Sequence, residues 1–386
     1  MLNKIRSKKI MNTLFSKIKK IKRLKLLKYN KKILKMLNIN KKDFRKYKLL
    51  KDFNTKFNLN IDDIDIKAIN IKEQEIDSEI FDYFIKIGFN ELKDLNLCGN
   101  LILEEFGNIQ INTLEKLTLN SNKNLRYTKE LQKVNFKELK ELNLSKNSLT
   151  NLDLLDKTNF EKLEILDLRI NLLSDITGLE KVKFNYLKNL NLSFNEIRNI
   201  RILEKVNFEK LEILDLSYNY INNINVLEKA NFRNLESLNL CHNEIKDINI
   251  LEKVEFEKLE ILDLSVNRIS DINVLEKVSF KELKELNFCF NGISDINALE
   301  KLNFKKLELL DISINRISTI KILEKVDFKE LKVLDLYANK ITNIKILEKV
   351  KFEKLEKLDI RNNKLDVIKF STLIEQLKKR IKLVKY

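Results

Sequence analysis

The sequence predicts an α/β solenoid, right-handed and curved, with a parallel sheet on the concave side. Short helical turns are expected on the convex side and helical caps at both ends. Three observations carry that reading. An asparagine recurs every 24 residues from Asn147 through Asn171, Asn195, Asn219, Asn243, Asn267, Asn291, Asn315 and Asn339 to Asn363. A phenylalanine keeps the same period from Phe136 through Phe160, Phe184, Phe208, Phe232, Phe256, Phe280, Phe304 and Phe328 to Phe352. The 386 residues include no proline and only five glycines, too little turn chemistry for a hairpin-rich β fold. A fixed period of this length marks a stacked repeat.

Composition bounds the function classes. Apolar residues make up 44 % and charged residues 34 % of the chain, which supplies a core and argues against global disorder. No run approaches the ~18 uncharged apolar residues that a transmembrane helix needs. His242 is the single histidine, and Cys98, Cys241 and Cys289 are the three cysteines. Multi-histidine metal sites and a disulfide framework are therefore not expected. Gly88, Gly99, Gly107, Gly178 and Gly292 form no phosphate-binding motif, so no cofactor and no small-molecule substrate are assigned.

The first element is a basic arm or cap over residues 1–60. It holds 21 Lys and Arg against two acids, Asp43 and Asp52. Its net charge of +19, in a chain of +17, leaves the remainder near neutral at −2. Ile10, Leu14, Ile18, Ile21 and Leu24 recur at helical spacing among Lys17, Lys19, Lys20, Lys22, Arg23 and Lys25. Four readings fit: a helical cap with a solvated basic face, a helix lying on RNA or an anionic membrane, an organelle-targeting segment, or a segment folding onto the chain's own acidic groups. Ile33-Leu34, Leu37, Asp43-Phe44, Leu49-Leu50 and Phe53 also faintly resemble an F-box, with altered spacing and no proline. That resemblance would imply a substrate adapter.

Residues 61–370 form the repeat body, about twelve to thirteen units. The pattern L-x-x-L-x-L-x-x-N appears at Leu92, Leu95, Leu97 and Asn100, then at Leu114, Leu117, Leu119 and Asn122, then at Leu139, Leu142, Leu144 and Asn147. A weaker copy, Ile66, Ile69 and Ile71, precedes them. The L-x-L portion alternates, so its leucines face a core and the residues between them face out. One unit cannot bury its apolar side alone; its neighbours do so. Each asparagine is expected to hold orphaned backbone groups where the chain turns inward, and each phenylalanine to join a buried spine rather than a surface that stacks nucleic-acid bases.

The unit Leu187-x-x-Leu190-x-Leu192-x-x-Asn195-x-Ile197-x-x-Ile200-x-x-Leu203 resembles the leucine-rich repeats. It is most similar to the class typified by the protein phosphatase 1 regulatory subunit and the bacterial internalins. The resemblance covers residues 66–370 and is specific for fold. It implies a docking surface on the concave face, with a phosphatase catalytic subunit as one possible partner. Two departures stand out: the 24-residue period is longer than usual for that class, and the proline common in internalin repeats is absent. FEKLEILD recurs identically at 160–167, 208–215 and 256–263, which points to duplication of a two-repeat block.

The last element, residues 371–386, reads as a capping helix. Thr372 and Glu375 have capping-box spacing. Phe370, Leu373, Ile374, Leu377, Ile381 and Val384 give one apolar face.

Function is expected on the outward sheet residues. Between the inner leucines lie Asn143, Asp167, Asn191, Asp215, Asn239, Asp263, Asn287, Asp311, Asp335 and Asp359. The early carboxylates thus fall on alternate strands, ~10 Å apart, either a solvated polar stripe or an acidic track for a basic segment. Just before each asparagine runs a second stripe, Ile170, Phe194, Tyr218, His242, Val266, Phe290 and Ile314. Ile165, Ile213, Ile261, Leu309 and Val333 form a third. If these are exposed rather than tucked into the following turn, Phe194, Tyr218, His242 and Phe290 are the central anchors for a protein partner. Glu-Lys pairs such as Glu204-Lys205 and Glu228-Lys229 read as a solvated outer face.

Catalysis is not expected. Ser217 or Ser265 could meet His242 and Asp215 or Asp263, but a regular sheet face offers no oxyanion site and no sharp nucleophile turn. Cys241 and Cys289 lie two strands apart, ~10 Å, beyond disulfide reach. With no disulfide-bonded caps, a reducing, intracellular compartment is the expectation. The reading is a non-enzymatic interaction scaffold or regulatory subunit. Its alternatives are a peripheral protein whose basic arm binds RNA or an anionic membrane, and an F-box-like adapter.

Overall fold

A computed structural model describes residues 41–61, 65–71, 79–99, 106–122, 130–156, 158–302, 304–350 and 352–386. They fall into two compact units. The first runs to Asn147 and takes in Asp153–Leu163; the second comprises Ser148–Leu152 and Glu164–Tyr386. Among the described residues, no helix is long and apolar enough to cross a membrane.

The first unit opens with helices α1 (Lys41–Lys56) and α2 (Glu79–Ile87), separated by strand β1 (Ala68–Asn70). Leu50 and Phe53 of α1 and Ile80, Phe84 and Ile87 of α2 are buried. The Phe53 ring meets Phe84 edge-on at 5.8 Å and lies 6.1 Å from Phe89. The stretch from Leu50 to Phe57 therefore supplies core as well as charge. Lys17, Lys19, Lys20, Lys22, Arg23 and Lys25 lie outside the described residues, as do Ile33, Leu34 and Leu37 of the F-box-like pattern. Strands β2 (Asp94–Asn96), β3 (Lys116–Thr118) and β4 (Glu141–Asn143) follow in parallel order after β1, with Leu95, Leu117 and Leu142 in register.

The second unit repeats one rung. Its strands are β5 (Ile165–Asp167), β6 (Asn189–Asn191), β7 (Ile213–Asp215), β8 (Ser237–Asn239), β9 (Ile261–Asp263), β10 (Glu285–Asn287), β11 (Leu309–Asp311), β12 (Val333–Asp335) and β13 (Lys357–Asp359). All pair in parallel and in register, so equivalent positions stack: Asp167 on Asn191, Asn191 on Asp215, Asp215 on Asn239. The middle leucine of each strand is buried because alternation turns it inward, onto the leucines above and below. Opposite the strands run short 3-10 turns such as Arg201–Glu204, Asn225–Glu228 and Asn249–Glu252. An Asn or Asp starts each of these turns. Asn199 accepts the Arg201 N–H at 2.8 Å, and Asp247 accepts the Asn249 N–H at 2.8 Å.

Two ladders fix the rungs to each other. The phenylalanines are core: Phe208, Phe232, Phe280 and Phe304 are at most 2 % exposed. Phe280 stacks between Phe256 and Phe304, with ring centroids 6.1 and 6.4 Å away. A nucleic-acid stacking surface is thereby excluded at these rings. The asparagines form a hydrogen-bonded spine. Asn219 Nδ2 donates to the Leu192 and Leu216 carbonyls, and its Oδ1 accepts the Ile197 N–H at 3.0 Å. Asn243 Nδ2 donates to the Leu216 and Leu240 carbonyls, and its Oδ1 accepts the Ile221 N–H. The Leu216 carbonyl thus serves two successive asparagines, which satisfies buried backbone that the turn takes out of the strand ladder.

The outer face differs from its expected pairing. Adjacent Glu-Lys residues pair across rungs: Lys205 with Glu180 at 3.5 Å, Lys277 with Glu252 at 2.9 Å and Lys325 with Glu300 at 3.0 Å. A second ladder joins Lys188 to Glu164 and Lys284 to Glu260 at 2.8 and 2.7 Å. Stacking brings residues one repeat apart closer than chain neighbours whose side chains diverge.

The C-terminal end also departs from expectation. Helix α3 spans Ser371–Arg380, and Leu383–Lys385 then forms strand β14, parallel to β13. The β-strand formed by Leu383–Lys385 is held by the ladder, its Leu383 N–H donating to the Glu356 carbonyl at 2.9 Å. Phe370 occupies the N-cap and no side chain caps the helix, so the Thr372–Glu375 capping box does not form. Leu373, Ile374, Leu377 and Ile381 are buried as the apolar face requires.

Candidate functional site

The candidate site is the open sheet face of the second unit. Its shape begins with a backbone feature. The residue before each asparagine takes a left-handed conformation: φ is 54° at Phe194, 52° at Tyr218, 56° at His242 and 54° at Phe290. Ile170, Val266 and Ile314 do the same at 55°, 51° and 50°. This bend sends the asparagine inward and throws the preceding side chain out. Outside glycine it costs ~1–2 kcal/mol per residue. The backbone ladder survives the bend, since the Tyr218 N–H donates to the Cys241 carbonyl and His242 to Ser265, both at 2.9 Å.

The stripe is therefore displayed, not tucked under the turn. Ile170, Phe194, Tyr218, His242 and Phe290 are exposed, with Phe194 at 47 % and Phe290 at 55 %. Val266 and Ile314 are half-buried. Three of the rings form one stack. Phe194 lies 4.0 Å from Tyr218 with ring planes 8° apart, and Tyr218 lies 4.3 Å from His242 at 19°. Phe290 stands apart beyond Val266 and joins no ring pair among the described residues. Ile165, Ile213 and Ile261 are exposed on alternate strands, with Asn189 and Ser237 between them.

Between these apolar rows runs the Asp/Asn row, half-buried except at Asp359, which is buried. Each member fastens its own strand end. Asp215 Oδ1 accepts the Ser217 N–H at 3.0 Å and its hydroxyl at 2.7 Å. Asp263 takes Ser265 in the same way at 2.8 and 2.6 Å, and Asp311 takes Ser313 at 2.9 and 2.6 Å. Asparagine does this equally well: Asn191 Oδ1 accepts from Ser193 at 2.9 and 2.7 Å. The alternation also lets amides face carboxylates. Asn287 Nδ2 lies 3.3 Å from Asp263 Oδ2, and Asn191 Nδ2 lies 3.5 Å from Asp215 Oδ2.

Charge is handled differently along the row. Asp167 pairs with Arg169 at 3.2 Å, Asp335 with Lys357 at 3.5 Å and Asp359 with Arg361 at 2.6 Å. Burial raises the Asp167 carboxyl above its ordinary value, partly offset by Arg169. Burial likewise raises Asp311, against the pull of Ser313 and with the like charge of Asp335 adding to it. At Asp359 burial acts upward, but the hydrogen bonds and charge of Arg361 hold the carboxyl below its usual range.

The triad geometry does not assemble. Ser217 and Ser265 are 5 % exposed and commit their hydroxyl protons to Asp215 and Asp263, while His242 stacks on Tyr218. Cys241 and Cys289 occupy the serine position of their rungs, and burial pushes both thiols up. No disulfide joins the three cysteines. Sequence reasoning found the exposed rows and missed the serine staples, although the recurring Asp/Asn-Leu-Ser triplet carries their signal. It also missed the left-handed bend, which residue type disguises because isoleucine and valine rarely occupy it.

Comparison with known proteins agrees with this geometry. A family model described as Leucine Rich repeats (2 copies) matches residues 233–277. No curated protein matches the sequence. Among solved structures, an internalin from Listeria monocytogenes is 22 % identical, over 88 % of this chain and 94 % of its own, with a TM-score of 0.68. The plant peptide hormone receptor RGFR1, in complex with RGF2, is 19 % identical over 78 % of this chain, with a TM-score of 0.53. TLR13, in its complex with ssRNA13, is 19 % identical over 83 % of this chain, with a TM-score of 0.54. This chain covers about half of each of those two, 52 % and 54 %. At such identities the likeness is one of fold. Repeat pattern, the family model over residues 233–277 and the fold are those of leucine-rich repeats, similar in fold to the bacterial internalins.

Proposed function

We propose that the protein is a non-enzymatic interaction scaffold or regulatory subunit that holds a protein partner on the sheet face of its second unit. The observation that carries this reading is the exposed stripe Ile170, Phe194, Tyr218, His242 and Phe290, kept on the surface by a left-handed bend in every rung. Large aromatic groups displayed at backbone cost, and flanked by exposed Ile213 and Ile261, suit the anchors of an interface. Asp167, Asp215, Asp263 and Asp311 beside them favour a partner with a basic segment. A phosphatase catalytic subunit remains one partner that the repeat class suggests. The commitment of Ser217 and Ser265 to carboxylates supports a role without chemistry.

The test is site-specific photo-crosslinking. A photoreactive residue is placed at Tyr220, beside the stripe, and in a second sample at Lys277 on the outer turns. A partner identified from the Tyr220 sample should bind the purified protein and lose that binding when Phe194, Tyr218 and Phe290 become alanine with circular dichroism unchanged. Crosslinks confined to Lys277, or full binding by the triple alanine variant, would refute the assignment.

A further inference from the structure

The carboxylate row holds a spacing that selects its occupant. Asp215, Asp263 and Asp311 sit on β7, β9 and β11, with Asn239 and Asn287 in register between them. Unlike Asp167, Asp335 and Asp359, these three make no ion pair within 4 Å among the described residues, Lys357 acting on Asp311 only from beyond that distance, in a unit whose outer glutamates are widely paired. Their Oδ1 atoms are spent on Ser217, Ser265 and Ser313, while Oδ2 of Asp215 and Asp263 takes only one long amide contact each, from Asn191 at 3.5 Å and Asn287 at 3.3 Å, and keeps a further lone pair to accept with. Strands ~4.8 Å apart place successive members of the set about 9.6 Å apart.

That interval discriminates between peptide conformations. A β-strand brings residues to the same side every ~6.7 Å and falls out of step at once. An α-helix returns after seven residues, ~10.5 Å, and is out by about 1.8 Å over two intervals. A polyproline II segment returns after three residues, ~9.3 Å, and is out by only about 0.6 Å. Its threefold symmetry also gives it a second flank. With basic side chains toward the carboxylates, that flank meets the stacked Tyr218 and His242 at the Asp215 end and Val266, Phe290 and Ile314 at the later rungs, an apolar and aromatic surface of the kind that packs against proline rings.

We propose that the sheet face binds an extended polyproline II segment carrying Lys or Arg at every third residue, with proline or other apolar residues between. This rests on the binding-scaffold reading and deepens it by naming the chemistry and pitch of the bound segment.

The test uses fluorescence anisotropy on the full chain with a labelled peptide of five Lys-Pro-Pro units. A peptide of the same composition with its lysines grouped at one end is the control. The periodic peptide should bind about tenfold more tightly and weaken as salt rises. Asp215→Asn, Asp263→Asn and Asp311→Asn combined should erase that advantage. The triple variant keeps its fold, because Asn191 already holds Ser193 with the same two hydrogen bonds. Equal affinity for both peptides, no binding of either, or an unchanged preference in the triple variant would overturn the inference. So would a triple variant that instead loses self-association, which would assign the face to a second copy of the chain. None of these results depends on the crosslinked partner, so the scaffold reading stands or falls separately.

Discussion

The asparagine spine makes a prediction about coupling that no single rung contains. In Asn243→Ala the Ile221 N–H loses its acceptor, 2.9 Å away, and has no other hydrogen-bond partner in view. The Leu216 and Leu240 carbonyls each lose one donor but keep another, from Asn219 at 3.1 Å and Asn267 at 2.9 Å. One orphaned buried donor and two weakened acceptors amount to about 2–3 kcal/mol. Asn219→Ala is equivalent. Combined, the two substitutions strip Leu216 of both side-chain donors, so the pair should cost about 1 kcal/mol more than the sum of the singles. Asn219 and Asn315 share no carbonyl, since Asn315 Nδ2 serves Phe288 and Ile312, and that pair should be additive. Urea unfolding followed by circular dichroism measures all five variants, with the m-value checking that the transition keeps its cooperativity. Additivity of Asn219 with Asn243 to within about 0.5 kcal/mol would refute the shared-carbonyl reasoning.

The left-handed bend should be relieved by a residue that tolerates it. Ile170→Asn, at an exposed position with φ of 55°, is expected to raise stability by about 1 kcal/mol, read as a higher urea midpoint; a lower midpoint would show that the exposed side chain supports the rung. The carboxylate row should respond to pH with a definite sign. Burial raises Asp311 above its ordinary value, so the unfolded chain ionises it more readily and ionisation costs stability. That cost is absent below the unfolded pKa and complete above the folded one. Asp311→Asn should therefore stabilise the protein at neutral pH and leave it unchanged in acid, and a stability difference that is constant across pH would contradict this.

Much of the fold was readable because its rules are local and repeated. The spacing of Leu190, Leu192 and Asn195 states which side chains turn inward, and ten in-register asparagines make the stacking unambiguous. The exposed rows were readable for the same reason, since alternation puts Ile213 and Asp215 on one face. The pairing of charges was not readable. Lys205 and Glu204 are neighbours in the chain, yet Lys205 reaches back 25 residues to Glu180, because rung stacking sets that distance. At the C-terminus, apolar spacing suited a helix through Val384. A free sheet edge at β13 offered hydrogen bonds to residues past Ile381, and the strand prevailed.

What the sequence alone determined is the rung: its period, its buried leucines and phenylalanines, and the identity of the residues left outside. Those follow from side-chain polarity and backbone periodicity, which are properties of a single repeat. Only the tertiary structure decided how neighbouring rungs use each other. It joined Phe194, Tyr218 and His242 into one stack, let single carbonyls serve two asparagines, and left Asp215, Asp263 and Asp311 without an ion pair among the described residues while Asp359 kept Arg361. These depend on distances between residues some 24 positions apart, and such distances exist only once the rungs are stacked.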